Sequence, residues 1–165
     1  MSIIRPEQPG DEPEIAAILI AAFPTVAESQ VVAGLRGTPD WVPELSLVVQ
    51  HDKALVAHAL LSRVTAGNSN ALMLGPIAVL PDWTGGGLAS SLVGIGLAKA
   101  KELEFDCVIA IGDPGFYPQF GFIPARNTGL TTEMPIPDEA FLVTELLPGG
   151  INGGPVLWPD AWDLD

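Results

Sequence analysis

The sequence is poor in cysteine and in basic residues, and each shortage excludes a class of protein. Its one cysteine, Cys107, rules out a disulfide within the chain and any metal cluster built from several cysteines, and we expect no metal. Only 7 residues are Lys or Arg, against 20 Asp or Glu, and the formal net charge is −13. Nucleic-acid binding depends on a basic surface that displaces counterions, so we expect neither a nucleic-acid partner nor docking on an anionic membrane.

Long uninterrupted hydrophobic runs are also missing. The longest nearly uncharged stretch, residues 85–98, is too short and too rich in glycine to span a bilayer. The first ten residues lack the apolar core of a signal peptide, and we expect a cytoplasmic protein. The mean hydropathy of +0.37 then indicates a large core. The length of 165 residues and the absence of repeats or linkers predict a single domain over 1–165.

The first part of the chain predicts a strand and two helices. Residues 2–5 fit a short strand. Asp11 and Glu14 have the spacing of a capping box, and apolar residues at helical spacing continue to Pro24, which ends the helix. A second, shorter helix is predicted over 28–35, with its apolar residues facing inward.

The next part predicts an antiparallel meander. Strands are expected at 45–49, 54–65 and 71–80, separated by polar turns. The third strand contains Gly75-Pro76, and because proline cannot donate to a sheet ladder, this strand should be irregular there.

A strand–helix–strand unit follows the meander. The apolar residues of 88–101, among them Leu88, Leu92 and Ile95, predict a well-buried helix, and 107–111 is an unbroken apolar strand parallel to the one before the helix. A last clear strand is expected at 141–146, before a loop-rich tail over 148–165. The fold class is therefore α/β: a mixed, mostly antiparallel sheet with one parallel strand–helix–strand unit, flanked by helices.

The most informative stretch is a glycine loop between the third strand of the meander and the buried helix. Residues 85–87 are Gly-Gly-Gly, and free N–H groups at the start of a helix bind anions such as phosphate. A P-loop is excluded because Leu88-Ala89 stands where Lys-Ser/Thr is required. A dinucleotide fingerprint is disfavoured because Ser90 stands where its third glycine would be. A glycine loop that only allows tight packing remains the alternative.

The order of elements and two motifs resemble the GCN5-related N-acetyltransferase family. Thr84 to Ala89 resembles the family's loop, with Gly87 and Ala89 at its final two positions and Thr84 in place of Gln or Arg. Tyr117 lies four residues before Gly121-Phe122, as in many members. The family's common Asn upstream of this Tyr is Ala110 here.

The resemblance implies acetyl-CoA as acyl donor, no metal, and a set of site residues. Backbone groups of residues 77–79 would hold the pantetheine where the two parallel strands separate, residues 84–90 would bind the pyrophosphate, and Tyr117 would donate a proton to the leaving sulfur. The implied cofactor-binding residues are Ile77, Ala78, Val79, Thr84, Gly85, Gly86, Gly87, Leu88, Ala89 and Ser90. A packed aromatic is the alternative role for Tyr117.

The function that the resemblance implies is direct transfer of acetyl from acetyl-CoA to a primary amine, on a small molecule or a peptide. A non-enzymatic acyl-CoA-binding module on the same fold is the alternative. No general base is identified, since His51, His58, Glu44, Glu133 and Glu145 all fit a solvated surface and Cys107 fits an inert core thiol.

Charge and partners complete the expectations. A polyanionic cofactor on an acidic protein predicts that Lys99, Lys101 or Arg126 lies near its nucleotide end. If carboxylates surround the acceptor mouth, a cationic small molecule is the natural acceptor. The four tryptophans fit core or tail packing better than a pocket, and a homodimer through the sheet edge or the tail stays open.

Overall fold

The computed structural model describes residues 1–162. Its helices are α1 (Glu12–Ala22), α2 (Ala27–Leu35) and α3 (Leu88–Glu102). Its strands are β1 (Ser2–Pro6), β2 (Ser46–His51), β3 (Ala54–Ala66), β4 (Ser69–Val79), β5 (Cys107–Ile111), β6 (Ile123–Pro124), β7 (Leu130–Thr131), β8 (Phe141–Glu145) and β9 (Gly154–Leu157). None of the helices in this part of the chain is both long and apolar enough to cross a membrane.

The strands form one mixed sheet in the order β1-β2-β3-β4-β5-β8-β6, with β9 paired to the end of β3 and to β7. The strands β1 to β4 are an antiparallel meander, β4 and β5 are parallel, and β8 returns antiparallel to β5. The predicted fold class and the parallel unit are therefore confirmed. The strands β6 and β7 were not predicted, because two residues are too few to show an alternation.

The helices cover opposite faces of the sheet. Leu92 and Val93 of α3 pack on one face, and Ile15 and Val31 of α1 and α2 pack on the other. Close approach of α3 depends on Gly96, since a Cβ there would lie 2.8 Å from Leu61 Cδ1.

The prediction that Ile95 is buried in α3 is wrong. Its side chain is 46% exposed. The buried stripe of the helix runs through Leu92, Val93, Gly96 and Ala100, so Ile95 lies outside it. Because the small residues Gly96 and Ala100 lie in this buried stripe, the axis of α3 approaches the sheet closely, and the stripe of buried residues is narrow.

The predicted capping box at the start of α1 is also wrong. The Asp11 side chain does not cap the helix; it pairs with Arg5 at 2.7 Å and accepts the Gln8 N–H. The Arg5 guanidinium beside Asp11 lowers the pKa of that carboxyl. Glu14 accepts the Leu55 N–H and so ties α1 to β3. Both acids therefore make tertiary contacts that local spacing does not show.

His58 is buried in the middle of the sheet rather than solvated as predicted. It lies on β3 between Val48 of β2 and Ala78 of β4 and is fully buried. Its Nε2 is 3.0 Å from Ser46 Oγ, and the Ser46 hydroxyl donates to Glu7, which pairs with Arg36. Since the Ser46 proton goes to Glu7, His58 Nε2 must donate, and the ring is neutral. Burial, with the nearby Arg36 charge, lowers the pKa of His58 to about 3.

This histidine should make the protein less stable in mild acid. The unfolded ring binds a proton below its ordinary pKa, whereas the folded ring stays neutral until its own, much lower pKa. Stability is therefore lost as the pH falls, by about 2 kcal/mol from about pH 7 to about pH 5. Urea unfolding at both pH values should show this loss in the wild type and in His51→Gln, and a much smaller one in His58→Gln. An equal loss in all three would contradict it.

Candidate active site

The site begins with one extra residue in β4. Leu61 of β3 pairs with Leu74 of β4, and Ala59 of β3 pairs with Ile77 of β4. Between these two pairs, the chain advances by two residues in β3 and by three residues in β4. The register shift falls at Gly75-Pro76, which confirms the predicted irregularity. Because side chains alternate along a strand, the extra residue reverses which face each following side chain occupies. Leu72, Leu74 and Ile77 therefore all face α3.

The same point is where β4 leaves β5. Their parallel pairing ends at Leu74 and Ala110, so residues 75–79 border a gap between the two strands. Just after β4, the Leu80 N–H donates to Val56 O of β3, so the backbone groups of Leu80 face β3. Since backbone groups alternate in direction, those of Ala78 also face β3, and those of Ile77 and Val79 face the gap. Two of the three predicted pantetheine-binding residues thus present free backbone groups there.

The glycine loop forms the start of α3 and is open to solvent. Gly85 and Gly87 both have φ of +82°, and a Cβ at either would meet nothing within 4 Å. No side chain caps α3, and the Ser91 N–H makes the helix's first bond, to Gly87 O. The N–H groups of Leu88, Ala89 and Ser90 precede that bond and are free to bind a ligand. The Thr84 hydroxyl donates to Pro81 O.

Tyr117 lies in the turn after β5, at the other border of the gap. Its side chain is 8% exposed and packs edge-on against Phe116 and Phe122. Its ring rests on Gly112, where a Cβ would lie 3.3 Å from Tyr117 Cε2. Burial, with the negative charge of Asp113, raises the pKa of Tyr117, so the phenol keeps its proton at neutral pH.

A cavity of about 360 Å³ passes through the gap. On the α3 side it is lined by Leu74, Ile77 and Tyr117. The lining on the opposite side comes from the residue after α1, from α2, β4 and the later part of the chain, and includes Phe23, Glu28, Met73, Met134, Trp158 and Trp162. An apolar cavity of this size, lined from both faces of a sheet, is suited to bring two substrates together.

The five residues weighed as a general base, none of which the sequence favoured, do not line this cavity. His58 is in the Ser46 network, Glu145 accepts the Gly149 N–H, and Glu44 is an exposed residue next to β2. Glu133 is exposed and lines a neighbouring groove of about 1010 Å³. His51 contacts Ser2 and the Trp83 ring at the end of β2. Among residues 1–162, no group of three or more His, Cys, Asp or Glu is arranged to hold a metal ion.

The predicted cations are not placed at the glycine loop. Lys99 and Lys101 lie in the last turn of α3, about 16–20 Å along the axis from Leu88. Lys99 pairs with Glu102, and Arg126 pairs with Asp138. The expectation that one of them flanks the nucleotide has no support from their positions.

Comparison with known proteins decides the family. The family model described as the acetyltransferase (GNAT) family matches residues 13–122, about two thirds of the chain. The chain belongs to this family. Membership carries an acyltransferase activity, and it agrees with the loop and the gap described above.

Relatives extend the similarity over nearly the whole chain. N-acetyltransferase YhbS of Escherichia coli K12 is 34% identical over 154 residues, covering 92% of this chain and 91% of YhbS. The crystal structure of E. coli YhbS in complex with CoA has a TM-score of 0.91 at 30% identity, covering 98% of this chain and 92% of that one. A GNAT acetyltransferase from Brucella melitensis, in complex with acetyl-CoA, has a TM-score of 0.83 at 28% identity and covers 99% of both chains.

The sequence interpretation missed Glu28 and the cavity wall around it. Glu28 is the first residue of the predicted helix 28–35, and it precedes Val31, Val32 and Leu35 by three, four and seven residues. That spacing places a carboxylate on the buried face of α2, and this was the available signal. Trp158 and Trp162 line the cavity, whereas Trp41 stacks on Arg36 and Trp83 on His51.

The lone cysteine should be unreactive in the folded protein. Cys107 is fully buried, and burial, with the negative charges of Asp106 and Glu145, raises the pKa of its thiol to about 11. A thiol-specific chromogenic reagent at mildly alkaline pH should label it only after denaturant is added. Rapid labelling of the native protein, at the rate of a free thiol, would contradict this placement.

Proposed function

We propose that this chain transfers the acetyl group of acetyl-CoA directly to a primary amine. The observation that carries the proposal is the cavity through the gap between β4 and β5, which has Tyr117 and the free backbone of Ile77 at one end and an open apolar pocket at the other. Both substrates reach the gap from opposite faces, so no covalent acetyl-enzyme is needed. The only cysteine is buried and protonated, which agrees with direct transfer.

The cofactor is proposed to bind on the α3 side. Free N–H groups at the start of α3 take the pyrophosphate through the loop residues 84–90, since the helix dipole and open glycines favour an anion there. The pantetheine then extends along residues 77–79, pairing with the backbone groups of Ile77 and Val79 in place of the absent β5 partner. CoA and acetyl-CoA in the two solved relatives support this choice of donor.

The chemical step needs a polarised carbonyl and a protonated leaving group. The amine nitrogen attacks the thioester carbonyl, the new C–N bond forms, the C–S bond breaks, and the nitrogen releases one proton to water in the open pocket. A backbone N–H of Ile77 or Val79 stabilises negative charge on the carbonyl oxygen. Tyr117 donates its phenolic proton to the departing sulfur, which leaves as the free thiol, and is reprotonated from solvent.

Removing the Tyr117 hydroxyl should slow turnover without weakening cofactor binding. In Tyr117→Phe, we expect kcat to fall about ten- to hundredfold, at or below the lower limit of the usual effect of a general acid, because a thiol with a pKa of about 8.5 leaves without strong assistance. Release of free CoA thiol across a panel of primary amines measures turnover, and calorimetry with CoA measures binding.

Three outcomes separate the interpretations. An unchanged kcat in Tyr117→Phe assigns the ring to packing alone. Acetyl-CoA binding by the wild type without turnover of any amine would favour the acyl-CoA-binding module. No binding of acetyl-CoA at all would remove both functions.

A methyl group on Gly87 should weaken cofactor binding. Its φ of +82° disfavours a side chain, and a Cβ there points into the open space proposed for the pyrophosphate. Gly94→Ala is the matched control, since Gly94 is an exposed residue in the middle of α3, has no positive φ, and a Cβ there would meet nothing within 4 Å. Calorimetry should show the Kd for CoA raised about tenfold or more in Gly87→Ala, a loss of about 1.4 kcal/mol, and near the wild-type value in Gly94→Ala. Equal Kd values in the two variants would place the pyrophosphate elsewhere.

A further inference from the structure

We propose that Glu28 binds the ammonium group of the acceptor, and that the acceptor is a primary amine on a compact apolar or aromatic body without a carboxylate of its own. The inference rests on the proposed acetyl transfer and adds to it the residue that selects the acceptor and the chemistry that it selects. Glu28 is a binding residue here, while Tyr117 acts on the leaving sulfur.

Glu28 is half-buried, and one of its carboxylate oxygens is buried without a partner. It is in the first turn of α2, on the face that also carries the buried Val31, Val32 and Leu35. Its Oε1 is inaccessible to solvent and accepts no hydrogen bond from any residue in 1–162. A first-turn glutamate can serve its own helix by capping it, but no side-chain cap is present at α2. Since a buried unpaired charge is costly, this oxygen is suited to a cationic ligand.

The walls around Glu28 determine the rest of the acceptor. They are apolar and aromatic, from Phe23, Met73, Pro76, Met134, Trp158 and Trp162. None of the residues that line the cavity is Lys, Arg or His. A volume of about 360 Å³ holds a small molecule or one side chain, and aromatic faces attract an ammonium group further.

The groove next to the cavity is acidic. It shares Met134, Trp158 and Trp162 with the cavity, and the described residues that line it include Glu133 and Asp160 and no Lys, Arg or His. Two further carboxylates thus line the groove that adjoins the cavity. This arrangement attracts a cationic amine and disfavours an acceptor that carries a carboxylate, since no cation in the walls would pair with it.

Glu28 and Tyr117 line the same cavity from opposite sides of the gap. An amine that enters from the groove meets Glu28 before it reaches the thioester beside Tyr117. The carboxylate holds the ammonium form, and the neutral amine that forms by loss of a proton to water is then next to the acetyl group. Removal of the carboxylate charge should therefore affect amine capture more than acetyl-CoA binding.

The test uses the full chain and two probes that differ by one carboxylate. 2-Phenylethylamine and phenylalanine share the amine and the ring, and CoA thiol release gives kcat and KM for each. Wild type should prefer 2-phenylethylamine by more than tenfold in kcat/KM. In Glu28→Gln, kcat/KM for 2-phenylethylamine should fall about ten- to hundredfold, mainly through KM, as expected for loss of one hydrogen bond to a charged group. Glu28→Asp should recover part of the loss.

The control is Glu104→Gln, which removes the same charge from an exposed residue just after α3 and should behave as wild type. Acetyl-CoA should bind to Glu28→Gln with the wild-type Kd in calorimetry. Direct titration with 2-phenylethylamine, followed by tryptophan fluorescence, measures amine binding without turnover.

The outcomes distinguish this inference from the proposed function. If wild type binds no acetyl-CoA, the proposed function fails. If it acetylates amines but Glu28→Gln remains within twofold of it, or phenylalanine or a peptide amide with an N-terminal phenylalanine is the better acceptor, only the inference about Glu28 is overturned. An absence of 2-phenylethylamine binding to wild type at millimolar concentration overturns it as well.

Discussion

The arrangement of the site depends on a mismatch between two strand pairings of β4. In its pairing with β3, β4 has one extra residue at Gly75-Pro76. In its pairing with β5, β4 makes its last pair at Leu74, the residue before Gly75. Because β4 stays paired with β3 beyond the extra residue, it does not stay in register with β5. The gap between β4 and β5 therefore forms at the extra residue. The backbone groups of Ile77 and Val79 on that side have no strand partner, and they are available to pair with a ligand.

Parallel pairing then brings the remaining parts of the site to the gap. The glycine loop follows β4 and the Tyr117 turn follows β5, and both strands end at the same edge of the sheet because they are parallel. Ligands in open α/β sheets bind outside the carboxyl ends of such strands. The face reversal at the bulge keeps Ile77 on the α3 side, next to the helix whose N-terminus is free, while Ala78 contacts the α1–α2 side. A single inserted residue therefore decides which face of the sheet Ile77 occupies, and with it the position and the side of the proposed cofactor path.

Local patterns predicted much of this fold, and their failures have a common cause. The meander, the parallel unit, the irregular β4, the glycine loop and the Tyr117 turn depend on neighbours in the chain, so alternation, helical spacing and turn chemistry identify them. The predictions for Asp11, Glu14 and His58 were wrong because the partners of these residues lie on other elements: Arg5 on β1, Leu55 on β3 and Ser46 on β2. The residues of the cavity wall could not be predicted from local patterns for the same reason, since α2, β4 and the C-terminal segment meet only in the folded chain. Glu28 is the exception, because its place on an apolar helix face was visible and went unused.

The excess of acidic residues in the chain has a different consequence on each side of the site. A polyanionic donor requires a positive potential and a cationic acceptor requires a negative one. A sheet that separates the two proposed binding sites allows one protein to provide both. On the donor side, the first turn of α3 contains no acidic residue and offers peptide N–H groups, whose dipole attracts an anion without a lysine or arginine. On the acceptor side, Glu28, Glu133 and Asp160 line the cavity and its groove. In the proposed arrangement, backbone groups supply the positive potential for the cofactor, so few basic residues are needed, and the carboxylates that line the cavity and its groove attract the cationic acceptor.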